Sequence, residues 1–249
     1  MGDRPNGLNI NSKVGSTHPT ALQALVVEQK ADLGIAFDGD GDRVILVDDR
    51  GEVVDGDQIL YVIAMNLLRK GYFNNKQGVA GTLMTNLGLE RVLASHKVPF
   101  VRTQVGDRYI NEELLKRGWR FGGESSGHII CKDVSTTGDG IVAALKVLAA
   151  MVETGQSLTA LAAGMVRHPQ VMVNVPVNRM NAEICEQSDV QAAVASIEER
   201  LSGKGRVLLR PSGTEPVVRV MVEGEDRAMV AELAEDLAGT VRHIFSATP

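Results

Sequence analysis

The sequence predicts an α/β protein in three parts. Residues 1–54 read as the end of an α/β domain, 55–165 as a full α/β domain with a mixed sheet, and 166–249 as a small C-terminal α+β domain. Three observations carry this reading. Short apolar runs alternate with helix-length segments from Val79 to Glu153, the pattern of strands and helices laid into one layer. That rhythm breaks at Arg167-His168-Pro169, and a strand–helix–strand–strand–helix pattern takes over. The first 54 residues hold only two or three strand-like runs and at most one helix, too little to bury a core alone.

In order along the chain, Ala31–Phe37 and Val44–Val47 are apolar strands joined by a tight polar loop. Gly56–Lys70 carries Ile59, Ile63 and Leu67 at helical spacing, with Gly71 as its stop. Val79–Leu83, Phe100–Thr103, Trp119–Gly122 and Ile129–Lys132 are strands; Leu87–His96, Asp107–Arg117 and Gly138–Glu153 are helices. Beyond the break, Val171–Val177, Arg206–Arg210 and Val217–Glu223 are strands and Asp189–Leu201 is a helix. Asp226 caps a last helix whose inner side is Val230, Leu233, Leu237 and Val241.

Hydrophobic residues make up 44% and charged residues 23% of the 249, ordinary values for a soluble globular chain. A net charge of −5 provides no broad basic field, so nucleic acid is not an expected partner. No apolar run reaches the roughly 18 residues of a membrane span, so no membrane partner is expected. Met1–Asn11 is polar and lacks the apolar stretch of a signal peptide. Cys131 and Cys185 stand alone, which points to a reduced, cytoplasmic setting.

Three loops carry chemistry. In Asp38-Gly39-Asp40-Gly41-Asp42-Arg43, three carboxylates alternate with two glycines directly after a buried strand. Alternation in an extended segment sends the carboxylates one way. Like charges this close need a cation, and hard oxygen ligands suit Mg²⁺ or Mn²⁺. Arg43 adds a fork for a phosphate beside the metal. An EF-hand loop requires Gly at position six and Glu at position twelve; Arg43 and Asp49 stand there. The bland alternative is a solvated acidic turn.

The second loop is Gly122-Gly123-Glu124-Ser125-Ser126-Gly127-His128, between two apolar strands. Glu124 and Ser126 can bond sugar hydroxyls, and His128 can pass a proton or hold a phosphate. By itself the motif is that of many solvent loops. The third is Arg210-Pro211-Ser212-Gly213-Thr214-Glu215-Pro216 with Arg219 beyond it. Hydroxyls, turn amides and two arginines make a phosphate cradle; a proline-bounded hairpin is the alternative. A weaker feature is Val105-Gly106-Asp107-Arg108-Tyr109, where Asp107 reads as an N-cap and Arg108 as a ligand contact.

In this order the motifs resemble those of the α-D-phosphohexomutase family. The resemblance implies four domains around one cleft, the first bearing a serine that is phosphorylated in the active enzyme. It implies Mg²⁺ on Asp38, Asp40 and Asp42, with Arg43 and His128 in catalysis. It puts Glu124 and Ser126 on the sugar and Arg210, Ser212, Gly213, Thr214 and Arg219 on the phosphate that does not react.

Within the family, PNGLNIN (5–11), GTLMTNLGLE (81–90), VGDRY (105–109) and TTGDGI (136–141) look like the branch that interconverts glucosamine 6-phosphate and glucosamine 1-phosphate for bacterial cell-wall precursors. A mannose or glucose phosphate, or a non-catalytic sugar-phosphate-binding role, are the alternatives. The departure is at the front. Only 37 residues precede Asp38, and Gly15-Ser16-Thr17-His18-Pro19 lacks the asparagine of the T-A-S-H-N-P nucleophile motif. The first domain is therefore expected to be missing, the second cut, and the chain inactive alone; the oligomeric state stays open.

Overall fold

Two antiparallel hairpins, each a strand, a polar loop and a return strand, organise the first part of the computed structural model. Residues 2–177, 185–212 and 215–247 are described. They divide into two units, Met1–Val166 and Arg167–Pro249, each with its own core.

The first hairpin pairs β1 (Leu33–Phe37) with β2 (Val44–Asp48), from Leu33 opposite Asp48 to Phe37 opposite Val44. A short β3 (Val53–Val54) extends this sheet beyond β2, so β1 is an edge. All five residues of β2 are buried, which is why its run VILVD is continuous rather than alternating. Helix α1 (Thr20–Gln29) precedes β1 and ends on Lys30 in the left-handed conformation. Its apolar residues form no single stripe, and Val26 is its one buried residue among those described, so periodicity marks it poorly.

The second hairpin sits inside a four-stranded sheet of order β5-β4-β6-β7. Strands β4 (Val79–Thr82), β5 (Phe100–Thr103) and β6 (Phe121–Gly123) run parallel, and β7 (Ile129–Cys131) returns antiparallel to β6. The sheet is mixed, as the sequence predicts.

Helices α2 (Gly56–Arg69), α3 (Leu87–Ser95), α5 (Gly140–Thr154) and the short α6 (Leu158–Ala162) contribute Ile59, Ile63, Leu89, Leu93, Val147 and Leu158 to the main core. Helix α4 (Asp107–Arg117) buries Ile110 and Leu114 against Ala80, Trp119 and Ile130 in a separate cluster. Val44, Leu46 and Val54 lie in the main core with Phe121 and Ile129, so residues 1–54 share one core with the sheet and helices of the 55–165 stretch. Asp55 starts α2 with a capping box to Gln58. Neither β3, α6 nor the 3-10 turn at Tyr72–Asn75 is signalled by pattern, each being too short to show a period.

The second unit is an antiparallel sheet of order β8-β10-β9, formed by β8 (Gln170–Pro176), β9 (Gly205–Pro211) and β10 (Val217–Gly224). Helices α7 (Ser188–Leu201) and α8 (Arg227–Ala247) pack Ile197, Leu201, Val230, Leu233 and Leu237 onto Val218, Val220 and Val222. Alternation then sends Arg219 and Glu223 of β10 to the opposite face. Asp226 accepts from Met229 N–H at 2.9 Å, the cap expected for the last helix.

Candidate active site

The acid loop joins β1 to β2 as a tight turn, in line with the tight loop expected. Gly41 N–H donates to Asp38 O at 3.3 Å, and Gly41 sits at φ 75°, a conformation that glycine adopts without strain. Curling brings Asp38, Asp40 and Asp42 together, with one carboxylate oxygen from each within 4.8 Å of the others. Asp40 is exposed and the other two are half-buried.

Burial, most of all, pushes the Asp42 carboxyl up from its ordinary value. A hydrogen bond with Asp38 and the charges of Asp38 and Asp40 add to this, while His128 opposes it. Asp42 Oδ1 is buried and accepts no hydrogen bond. An orphaned buried carboxylate oxygen in a cluster of three suits a hard divalent cation such as Mg²⁺. Arg43 lies beside the cluster, its Nε 3.8 Å from Asp38 Oδ2 and 3.9 Å from Asp42 Oδ1.

The glycine-rich loop between β6 and β7 is stapled to the acid loop. Arg43 and His128 form an antiparallel bridge, and Val44 N–H donates to Gly127 O at 3.1 Å. Gly56 N–H donates to Ser125 O at 3.0 Å, and Gly140 N–H to Gly41 O at 2.9 Å. These approaches require glycine. A Cβ on Gly127 would stand 2.0 Å from Val44 O, and one on Gly56 2.0 Å from Glu124 O. The N-terminus of α5, capped by Asp139, therefore abuts the acid loop and turns its positive end toward the carboxylates.

His128 Nδ1 lies 3.1 Å from Asp42 Oδ2. The His128 side chain is only 4% exposed, so it sits beneath the acid loop rather than in the open. Glu124 Oε1 accepts from Gly106 N–H at 2.9 Å, and Ser126 Oγ donates to Glu124 Oε2 at 3.4 Å. Arg108 is turned along its helix to Glu112, 2.7 Å away. Asp107 is not the N-cap: Gly106 takes that place without a side-chain bond. Asp107 Oδ2 instead lies 3.9 Å from His128 Nε2.

In the second unit, Arg210 of β9 and Arg219 of β10 are direct cross-strand partners. Two guanidinium groups thus share one face, and each Nε is buried without a hydrogen-bond partner. Burial first, and Arg219 second, push the Arg210 pKa down. Arg219 also pairs with Glu215 at 3.1 Å. Ser212 is buried, with its Oγ accepting from Glu215 N–H at 3.3 Å. Gly213 and Thr214 lie outside the described residues. Juxtaposed cations with unspent donors are what an anion site needs.

The structure thus brings Asp38, Asp40, Asp42, Arg43, Glu124, Ser126 and His128 together in the first unit, and Arg210, Ser212 and Arg219 in the second. The closing contacts of Gly56, Gly127 and Gly140, and Asp107 as a neighbour of His128, are not marked in the sequence because their partners, Glu124, Val44, Gly41 and His128, stand far away along the chain. A cavity of about 640 Å³ opens elsewhere. It runs along the free edge of β1, walled by Val14, Leu22, Leu25, Ile35 and Phe37, and meets the acid loop only at Asp38 and Gly39.

A mixed sheet with ligand-type loops at the carboxyl ends of its strands defines the class: an α/β protein with a candidate binding site there. Comparison with known proteins narrows the class. Residues 55–168 match the model for phosphoglucomutase/phosphomannomutase α/β/α domain III, and residues 172–240 match that for the C-terminal domain of the same family. The chain belongs to this phosphohexomutase family.

The chain is 56% identical over 242 residues to a phosphoglucosamine mutase of Cellvibrio japonicus, covering 97% of this chain and 54% of the relative. It is 53% identical over 244 residues to one of Escherichia coli O1:K1 / APEC, covering 98% and 54%. The chain spans about half the length of the curated relatives it matches. Among solved structures, Aspergillus fumigatus N-acetylphosphoglucosamine mutase, in complex with GlcNAc-6P and magnesium, superposes with a TM-score of 0.76. That match is at 23% identity and covers 94% of this chain and 54% of the other. A Burkholderia thailandensis phosphoglucomutase/phosphomannomutase family protein superposes with a TM-score of 0.68 at 20% identity, covering 92% and 50%. Identities this low speak for the fold alone.

Proposed function

We propose that the chain supplies the metal, sugar and phosphate sites of a Mg²⁺-dependent phosphoglucosamine mutase, which interconverts glucosamine 6-phosphate and glucosamine 1-phosphate. In this reading residues 1–54 end the metal domain, 55–165 are the sugar domain and 166–249 the phosphate domain. The observation that carries it is the coupling of Asp38, Asp40 and Asp42 to the Glu124–His128 loop through the Arg43–His128 bridge and the Asp42–His128 contact. The names of the relatives point to the same sugar.

Asp38, Asp40 and Asp42 would hold the metal, which supplies positive charge to a phosphoryl oxygen when bound. Arg43 adds a second positive charge beside it. Glu124 accepts from one sugar hydroxyl and Ser126 donates to or accepts from another, fixing the ring. Arg210, Ser212 and Arg219, with Gly213 and Thr214, take the phosphate that does not react. His128, enclosed under the acid loop, holds Asp42 in place. The phosphoserine that the family resemblance implies as phosphoryl carrier is not among these residues.

Calorimetry with Mg²⁺ and glucosamine 6-phosphate tests the reading. Asp40→Asn is expected to weaken Mg²⁺ binding at least tenfold, and sugar-phosphate binding is expected to need Arg210. Failure of the chain to bind any hexose phosphate with Mg²⁺ present would sink the proposal. Pure chain given glucosamine 6-phosphate, Mg²⁺ and a glucose 1,6-bisphosphate primer is expected to show no sustained turnover. Sustained turnover would place the phosphoryl carrier on one of these residues.

A further inference from the structure

Asp107 is a carboxylate in the first turn of α4 that caps no helix end. It opens α4, but Gly106 at φ 130° is the N-cap and no side chain caps this helix end. Asp107 accepts no hydrogen bond from any described residue; the imidazole of His128 lies 3.9 Å away, from Oδ2 to Nε2. That Nε2 is buried and itself lacks a hydrogen-bond partner. A helix N-terminus favours an acid in its first turn, but this asks for charge near the helix end, not for a carboxylate turned toward a buried imidazole. The side chain is 57% exposed, so a ligand can reach it.

Its position ties it to the sugar loop. The Gly106 N–H immediately before it holds Glu124 Oε1 at 2.9 Å. Asp107 and Glu124 therefore flank one spot, with Asp42 joined to it through His128. Charge counting gives this spot a sign. Asp38, Asp40, Asp42, Asp107 and Glu124 carry five negative charges; a divalent cation and Arg43 offset three. Arg108, the nearest cation in sequence, is spent on Glu112 at 2.7 Å. Glu124 has hydroxyls to read, and Asp107 has none assigned.

We propose that Asp107 determines specificity by pairing with the 2-ammonium group of a glucosamine phosphate, the reading of this site as a phosphoglucosamine mutase being its premise. An amine comparable to an α-amino group, with a pKa near ~8, is mostly protonated at neutral pH. The 2-hydroxyl of glucose phosphate and the 2-acetamido group of N-acetylglucosamine phosphate are not cations. Asp107 thus distinguishes the free amino sugar from both.

The test measures dissociation constants of glucosamine 6-phosphate and glucose 6-phosphate for the full chain with Mg²⁺, in wild type, Asp107→Asn and Asp107→Glu. Wild type is expected to prefer the amino sugar by roughly tenfold, the scale of one charged pair. Asp107→Asn is expected to bring the ratio to within about twofold by weakening the amino sugar alone. The unchanged glucose 6-phosphate constant shows that the site is still folded. Asp107→Glu, which keeps the charge, is expected to retain part of the preference. An Asp107→Asn ratio equal to the wild-type ratio overturns the inference, as does equal wild-type binding of both sugars, which leaves the function itself standing. Binding of neither sugar by wild type overturns both.

Discussion

Replacing Arg210 by methionine is expected to make the Arg167–Pro249 unit more stable and blind to phosphate. Arg210 and Arg219 face each other across β9 and β10. A like-charge cross-strand pair costs roughly 0.2–1 kcal/mol. A buried donor with no partner costs roughly 1–3 kcal/mol, and the Nε of Arg210 is one such donor. Methionine keeps an apolar stem in place and removes both costs. Because part of the guanidinium reaches solvent, the net gain is about 1–2 kcal/mol, discounted from that sum.

The assay is hydrogen–deuterium exchange of β9 and β10 amides in the whole chain. A gain of this size slows their exchange by roughly 5- to 30-fold. Inorganic phosphate at 100 times its dissociation constant stabilises wild type by about 2.7 kcal/mol and leaves the variant unchanged. Faster exchange in Arg210→Met, with phosphate protection intact, would refute the reasoning, since the arginine pair would then be structural rather than held ready for an anion.

Two further outcomes rest on packing and burial. Gly127→Ala is expected to destabilise the first unit by about 3 kcal/mol or more, because φ is 94° and its Cβ would stand 2.0 Å from Val44 O. Gly118→Ala, at φ 67° with open space around it, should lose only about 1 kcal/mol; equal losses by Trp119 fluorescence would count against the loop staple. Burial pushes the Cys131 thiol up to about 12, from an ordinary value of 9.0. Between those values the unfolded state ionises and the folded state does not. Stability should therefore fall above pH 9 by about 1.4 kcal/mol per pH unit. Cys131→Ala should flatten that slope, and an unchanged slope in alkaline denaturation would assign it to other groups.

Much of the first unit's order of elements is legible in the residues themselves. The strands of the 79–131 stretch and helices α2, α4 and α5 are given by apolar period and by glycine stops such as Gly118 and Gly155. Helix α1 is not legible, because its apolar residues form no stripe. The three chemical loops are equally local: DGDGDR, GGESSGH and RPSGTEP concentrate charge, hydroxyls and glycine in a few positions, and concentration survives in a string of letters.

What the loops do to one another is not local. That the acid loop curls rather than extends is decided by Gly41 at φ 75°. That it meets the sugar loop is decided by backbone contacts from Arg43 and Val44 to Gly127 and His128, more than 80 residues apart. Only folding shows His128 beneath Asp42, Arg108 spent on Glu112 and Asp107 turned toward a buried imidazole. Only strand register sets Arg210 against Arg219. Residue type determines what chemistry a loop can do. Which groups are paired, buried or left over depends on neighbours brought in from distant positions, and no pattern along the chain records those distances.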